Sequence, residues 1–279
     1  MTVNAAKLLD SRAAQVRAQL ERVLPPVSAR PRRLHEALRY AALSEGKRVR
    51  PALTLLACEA VGGKTLEAMP AALAVELVHT YSLVHDDLPC MDDDTMRRGR
   101  PTCHVRYDEG TALLAGDALL TMAFEVLASN GRPSGVRAAR RLTAVAWLAE
   151  AAGSKGMVGG QADDVEQGGR TPDLPTLESI NARKSGKLIA VSCRLGAYLG
   201  GGTPAQVEAL YAYGRAVGLL FQIVDDILDG DGYAKLLGAS QARREAEAVH
   251  RRAVGALGKL GRKGLPLARL ADLILNRER

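Results

Sequence analysis

Two aspartate-rich stretches hold the densest chemistry in this chain. The first runs Asp86-Asp87-Leu88-Pro89-Cys90-Met91-Asp92 into Asp93-Asp94, and the second is Asp225-Asp226-Ile227-Leu228-Asp229. Both lie next to strongly apolar sequence, where an ionised carboxylate is costly without a partner. Neighbouring carboxylates repel one another, so a cation is the partner that suits them. Hard oxygen donors favour Mg²⁺, above all where substrate phosphates share the metal. One such cluster alone would read as a solvated turn. Two of the same form point to a polyphosphate gripped between acidic walls. A calcium-binding EF-hand is excluded, because its D-x-[DN]-x-[DN]-G pattern is missing.

Helix geometry separates the two clusters. Asp225 and Asp229 lie ~40° apart on one helix face. Gly230 follows, which places them at a helix end whose partial negative charge favours a cation. In a continuous helix Asp86 and Asp92 would stand ~120° apart, and Pro89 forbids that continuation. A bulge after Asp87 would bring Asp92 back beside Asp86.

Basic residues alternate with the acids. Gly46-Lys47-Arg48-Val49-Arg50-Pro51 lies upstream, and Arg97-Arg98 follows the first cluster. Arg offers paired planar donors to phosphate oxygens and Lys a point charge. This suggests one metal-bridged phosphate and another held by cations directly. The plainer readings stand beside these. Arg48 is read as facing solvent, and His79, on an apolar run, as a hydrogen-bonded core residue. Lys184 competes with Lys187 within Arg183-Lys184-Ser185-Gly186-Lys187. Gln161 and Asp164 line a cavity or merely sit where glycines pack helices closely.

The elements that position these residues read as helices almost throughout, bounded by Gly and Pro. Apolar spacing predicts helices over Ala5 to Leu24, Leu34 to Leu43, Ala52 to Val61, an apolar stretch after Pro70 to His85, Thr111 to Leu127 and Val136 to Ala152. Further helices are expected over Leu177 to Leu199, Pro204 to Leu228, Ala242 to Leu260 and Pro266 to Leu275. Loops are expected at Asp92 to Thr102, Ser129 to Gly135, Gly168 to Pro175 and Gly230 to Tyr233. No alternating strand pattern of useful length is found. The expectation is one all-α domain over residues 1–279, a helix bundle with its site between facing helices.

Composition sets the bounds. The 279 residues are 47% hydrophobic and only 4% aromatic, with a net charge of +7. That charge suits nucleic acid, an anionic membrane surface or small anionic substrates, and no nucleic-acid motif is present. No run of about 18 apolar residues is found, so no membrane span is expected. The first residues lack a basic-then-apolar start, so no secretory signal is expected. Cys58, Cys90, Cys103 and Cys193 form no C-x-x-C pair, which fits a reducing cytoplasm.

Six ordered motifs resemble one family. They are Gly46 to Pro51, His79-Thr80-Tyr81-Ser82-Leu83-Val84-His85 running into the first cluster, Arg97-Arg98-Gly99-Arg100-Pro101-Thr102, Gly159-Gly160-Gln161, Lys184-Ser185-Gly186, and Phe221-Gln222 leading to Asp229. The chain resembles the trans-isoprenyl diphosphate synthases, most nearly the bacterial farnesyl diphosphate synthase type, from about Leu34 to Arg277. The resemblance implies an antiparallel bundle around a large central cavity and a homodimer. It implies Mg²⁺-dependent condensation of isopentenyl diphosphate with an allylic diphosphate (dimethylallyl or geranyl). Asp86, Asp87, Asp92, Asp225, Asp226 and Asp229 would bind three Mg²⁺ ions on the allylic diphosphate, which Arg97 and Lys184 would also hold. Lys47, Arg50, His79 and Arg98 would bind isopentenyl diphosphate. Gln222, Phe221, Ser185 and Gln161 would complete the substrate site. Tyr81, five residues before Asp86, would act as the floor of the product pocket and favour a C15 product. A geranyl or geranylgeranyl product, or a non-catalytic partner subunit, is the alternative. A terpene cyclase is disfavoured by the second cluster and by the Gly46-Lys47-Arg48 stretch.

One departure stands out. Asp229-Gly230-Asp231-Gly232 leads straight into Tyr233, where the resemblance implies a longer loop carrying a phosphate-binding Lys. The favoured expectation is that the intact protein carries a mobile flap between these residues. The alternative is a true deletion.

Overall fold

The computed structural model describes residues 5–129, 136–170 and 172–277. Most of the expected loop Ser129 to Gly135 lies outside them. The helices in order are α1 (Ala5–Val23), α2 (Arg32–Ala42), α3 (Val49–Ala60) and α4 (Thr65–Asp86). A two-residue hairpin, β1 (Met96–Arg97) with β2 (Arg100–Pro101), precedes α5 (Cys103–Arg106), α6 (Glu109–Ala128), α7 (Ala138–Ala152) and α8 (Met157–Gln167). Next come α9 (Leu174–Asn181), a π-helical turn (Ala182–Gly186), α10 (Lys187–Leu199), α11 (Pro204–Asp229), α12 (Gly232–Leu237) and α13 (Ala239–Ala256). A 3-10 segment (Leu257–Gly264) leads into α14 (Leu265–Leu275). The all-α class expected from the sequence is the one observed.

The central element is α4. It is apolar on nearly every face, so it has no side to offer water. Leu73, Val75, Leu77 and Val78 are fully buried, each burial contributing about 1.5–3 kcal/mol. It packs against α3, α6 and α10. Leu73→Ala would leave a cavity costing roughly 2–5 kcal/mol. The sequence placed Pro70 ahead of this helix, whereas α4 begins five residues earlier, at Thr65. There the backbone N–H of Lys64 donates to Glu67 Oε2 at 2.8 Å. A proline this near the start forfeits one backbone bond, to the carbonyl of the exposed Leu66.

The second long element, α11, starts on a capping box. Thr203 Oγ1 accepts from Gln206 N–H, and Gln206 Oε1 from Thr203 N–H. It ends at Gly230, in the left-handed conformation that suits a helix C-cap. It packs against α10 and α13. The apolar residues form two buried clusters, one centred on α4 and α6, the other on α3, α10, α11, α13 and α14. Trp147 and Tyr198 touch both.

Three further expectations need correction. The helix expected from Leu177 to Leu199 starts at Leu174 and contains the π-helical turn. The run 157–167, not expected as a helix, is α8: Gly159 and Gly160 interrupt its pattern, yet Gly160 lets α8 approach the backbone of Lys184. Two helices, α6 and α11, are long and apolar enough to cross a membrane by length and composition, with mean hydropathies of 1.6 and 1.2. Their alanines and leucines raise the average although acids interrupt the run. Here 39% and 50% of those windows are buried inside the protein.

The candidate active site

The two acid clusters occupy the C-terminal ends of α4 and α11. Asp86 ends α4 and Asp87 caps it. Beyond Pro89 the chain folds back, with Asp92 N–H donating to the Asp86 carbonyl at 2.8 Å and Asp93 N–H to the Leu88 carbonyl at 3.2 Å. This is the return that the spacing required, and Asp92, itself exposed, lies beside Asp86. Asp86 is pushed up to about 6, chiefly by burial. Lys184 opposes the shift and Asp92 adds to it.

Arg97, on the hairpin, donates to Asp87 and, at 2.9 Å, to Asp94. Burial still raises Asp87 above the usual carboxylate range, against the pull of Arg97. Arg98 reaches the other way, donating to the Glu45 carbonyl at 2.8 Å. Its guanidinium lies where a Cβ on residue 46 would be, 2.5 Å from Nη1, so Gly46 makes room for it.

At the end of α11, Asp225 accepts from Arg277 Nη2, and Asp226 Oδ2 accepts from Tyr233 N–H at 2.9 Å. Burial raises both. Arg277 and, more weakly, Lys47 pull Asp225 down, while Asp231 and Asp225 push Asp226 further up. The guanidinium of Arg277 sits 5.0 Å from the ring centroid of Phe221. Asp229 is exposed, and Gln222 is half-buried on the same helix.

Elements between the clusters tie them together. Arg50, on α3, donates from Nη1 to His79 Nε2 on α4 at 3.2 Å. The imidazole therefore accepts and is neutral; burial and then Arg50 hold it well below the usual histidine range. Arg50 itself is lowered to about 10 by burial and feels both Glu76 and Asp225. Lys184 Nζ donates to Asp164 Oδ2 at 2.6 Å and stands near Asp86. Lys184 and Ser185 lie on the π-helical turn, a local unwinding often found at functional sites. Lys187 instead lines a separate groove with Glu178 and Tyr211, whereas Lys184 is the one beside Asp86. Gln161 on α8 has both amide atoms buried without a partner among the described residues. Tyr81 is buried against His85. A small cleft of about 50 Å³ opens beside Asp87, Arg97, Arg98 and Thr80.

Three points depart from expectation. Arg48 does not face solvent. Its side chain is 4% exposed and ion-paired with Glu76, and it donates to the Ala42 carbonyl at 2.8 Å. The signal was Glu76 itself, a lone acid in an apolar helix that had to find a cation. The chain between Asp229 and Tyr233 is continuous and short. Asp231 N–H donates to the Asp226 carbonyl at 3.0 Å and α12 starts at Gly232. The 279-residue sequence holds no flap there, so the expected insertion is corrected to a deletion. Finally, among the described residues no three Asp, Glu, His or Cys side chains converge on one point. Asp87 and Asp225 turn to arginines instead. Their chemistry still fits Mg²⁺, because the donors are carboxylate oxygens alone and burial leaves them short of positive charge.

Known proteins are similar over most of this length. A geranylgeranyl pyrophosphate synthase of Capsicum annuum, described as chloroplastic, is 46% identical over 269 residues, covering 89% of this chain and 72% of that protein. Those 269 positions exceed what 89% of 279 residues can fill, so the relative carries residues this chain lacks. The large subunit 1 of a heterodimeric geranylgeranyl pyrophosphate synthase of Arabidopsis thaliana is 44% identical, over 89% of this chain and 73% of its own. The apo structure of an FPP/GFPP synthase from Zymomonas mobilis superposes with a TM-score of 0.92 at 37% identity, covering 99% of this chain and 100% of that one. The family model described as polyprenyl synthetase matches residues 31–243. With acid-tipped α4 and α11 set among cations in an all-α bundle, and with these relatives, the chain belongs to the polyprenyl synthetase family, the trans-isoprenyl diphosphate synthases.

Proposed function

We propose that this trans-prenyltransferase joins isopentenyl diphosphate head-to-tail (1'-4) to dimethylallyl or geranyl diphosphate, giving farnesyl diphosphate and pyrophosphate. The observation that supports it most is the position of Arg50, which touches His79 on the helix of the first cluster and feels Asp225 of the second. One basic group is thus shared between two acidic ends, as two neighbouring diphosphates require.

Asp86, Asp87, Asp92, Asp225, Asp226 and Asp229 would hold Mg²⁺, three ions with substrate bound. Bound there, the metal would stabilise charge on the departing pyrophosphate. Arg97 and Lys184 would exchange their carboxylate partners for allylic phosphate oxygens. Lys47, Arg50, His79 and Arg98 would orient isopentenyl diphosphate, with His79 neutral. Gln161 brings an amide with no partner among the described residues, and Gln222, Ser185 and Phe221 would complete the substrate site. Apolar walls would keep water from the allylic cation, and the proton would leave to the released pyrophosphate. The net charge of +7 serves anionic substrates in this reading, with no nucleic acid involved. All four cysteines are free, which supports a reducing cytoplasm. A single-domain chain acting as a homodimer completes the proposal.

Two alternatives have specific support. A C20 product is favoured by the names of the Capsicum and Arabidopsis relatives and a C15 product by the buried Tyr81. A partner-subunit role is favoured by the deletion after Asp229. Incubation with Mg²⁺, isopentenyl diphosphate and geranyl diphosphate tests all three. A C15 product supports the proposal, a C20 product replaces it with the longer synthase, and no prenyl product from the folded chain sinks the catalytic reading.

A further inference from the structure

His85 occupies the seam between α4 and α6. A Cβ on Gly116 of α6 would lie 2.1 Å from His85 Nε2 and 2.3 Å from its Cδ2, so only a glycine admits the imidazole. Nε2 stands 3.0 Å from the Leu113 carbonyl oxygen and 3.8 Å from Asp117 Oδ1. A carbonyl only accepts, so Nε2 carries the proton and the ring is pinned to α6. Its other side meets the Tyr81 ring edge-on, with centroids 5.7 Å apart and planes at 82°. The His85 side chain is 25% exposed, whereas Tyr81 is 5% exposed. The imidazole is the outer member of the pair and the phenol stands behind it.

We propose that His85 is a positioning residue for product length: it locks Tyr81 in place, and Gly116 supplies the space for that lock. This rests on the reading of Tyr81 as the pocket floor. A floor stops elongation only if it cannot swing aside. Among the described residues the Tyr81 hydroxyl makes no hydrogen bond and its ring meets His85, while His85 is tied to the backbone of a second helix. The chain's terminal isoprene unit would therefore press on a ring whose resistance comes from α6 through His85.

The test is the product distribution of the full chain with Mg²⁺, isopentenyl diphosphate and geranyl diphosphate. Tyr81→Ala is expected to lengthen the product. His85→Ala and His85→Gln are expected to lengthen it by at least one five-carbon unit, with KM for isopentenyl diphosphate within about twofold of the parent. The Gln variant keeps a donor for the Leu113 carbonyl, so it reports even if the Ala variant melts. His85→Phe keeps the ring but loses the tie to the Leu113 carbonyl, so it should lengthen the product less than His85→Ala. Gly116→Ala should push the imidazole out of the seam, release Tyr81 and lengthen the product. Calorimetric binding of C15 and C20 diphosphates gives a readout independent of turnover, and the C20 to C15 affinity ratio should rise about tenfold in His85→Ala. If Tyr81→Ala lengthens the product while both His85 variants leave length and affinity ratio unchanged, the role of His85 is overturned. If Tyr81→Ala itself changes neither, the floor reading falls, whatever the His85 variants do.

Discussion

Arg48 and Glu76 form an ion pair closed off from solvent, at 4% and 2% side-chain exposure, between the loop before α3 and the middle of α4. Arg48 holds a left-handed backbone conformation to make it, and its other donors go to the carbonyls of Ala42 and Ser44. The pair thus anchors the loop that presents Lys47 and leads into Arg50 at the start of α3. Removing one partner strands the other charge in the core, a loss of roughly 3–5 kcal/mol. Glu76→Ala should lower unfolding free energy by that amount in a urea titration. Arg48→Met with Glu76→Leu should recover most of it, while KM for isopentenyl diphosphate stays raised because the loop has lost its anchor.

Most of the helices were legible because α4, α6 and α11 carry dense apolar patterns closed by Gly or Pro. The return of Asp92 to Asp86 was legible for a different reason: Pro89 and the six-residue spacing leave few alternatives. What stayed hidden depends on contacts between distant residues. The partner of Arg48 lies on α4, and the role of Gly160 depends on the backbone of Lys184. A two-residue hairpin such as Met96–Arg97 with Arg100–Pro101 has no periodicity to read. The way the short stretch after Asp229 closes, with Tyr233 N–H donating to Asp226, depends likewise on a contact the sequence does not show.

Arg277 fills the position of a cation at the second cluster. It pairs with Asp225, stacks on Phe221 and leaves its Nε buried without a partner among the described residues. A divalent ion reaching Asp225 has to displace it. Arg277→Ala should therefore tighten Mn²⁺ binding several-fold, read by calorimetry without substrate. Asp225→Asn should weaken it in either background. Unchanged Mn²⁺ affinity in Arg277→Ala would show that the ion pair and the metal do not compete.

Asp86 carries the costliest charge of the first cluster, since burial and Asp92 both oppose its ionisation. Neutralising it removes that penalty. Asp86→Asn should raise stability in EDTA by on the order of 1–3 kcal/mol, read as a higher melting temperature. The same variant should lose at least about a hundredfold in kcat if Asp86 holds metal at the leaving group as proposed. Stability gained together with activity lost would mark a residue kept for its chemistry. A variant that is both less stable and inactive would mean Asp86 serves the fold.

His79 gives the fold a pH dependence whose sign is fixed by its neighbours. Arg50 donates to its Nε2, and Arg98, Arg48 and Arg97 also oppose a positive charge there, behind the larger effect of burial. Its folded pKa is depressed, so below ~6.5 the unfolded chain takes a proton that the folded chain refuses. The neutral imidazole's contribution is whole above that pH and is lost as pH falls toward the folded value. The expected slope is up to about 1.4 kcal/mol per pH unit in that window. His79→Gln keeps an acceptor for Arg50 and cannot titrate. Subtracting its stability curve from that of the parent between pH 7.5 and 5 isolates the one group, because Asp86 and the other acids remain in both proteins. A difference that grows as the pH falls is the expected result. A flat difference would mean that His79 protonates as readily in the fold as out of it, and the hydrogen bond from Arg50 would then have to be given up.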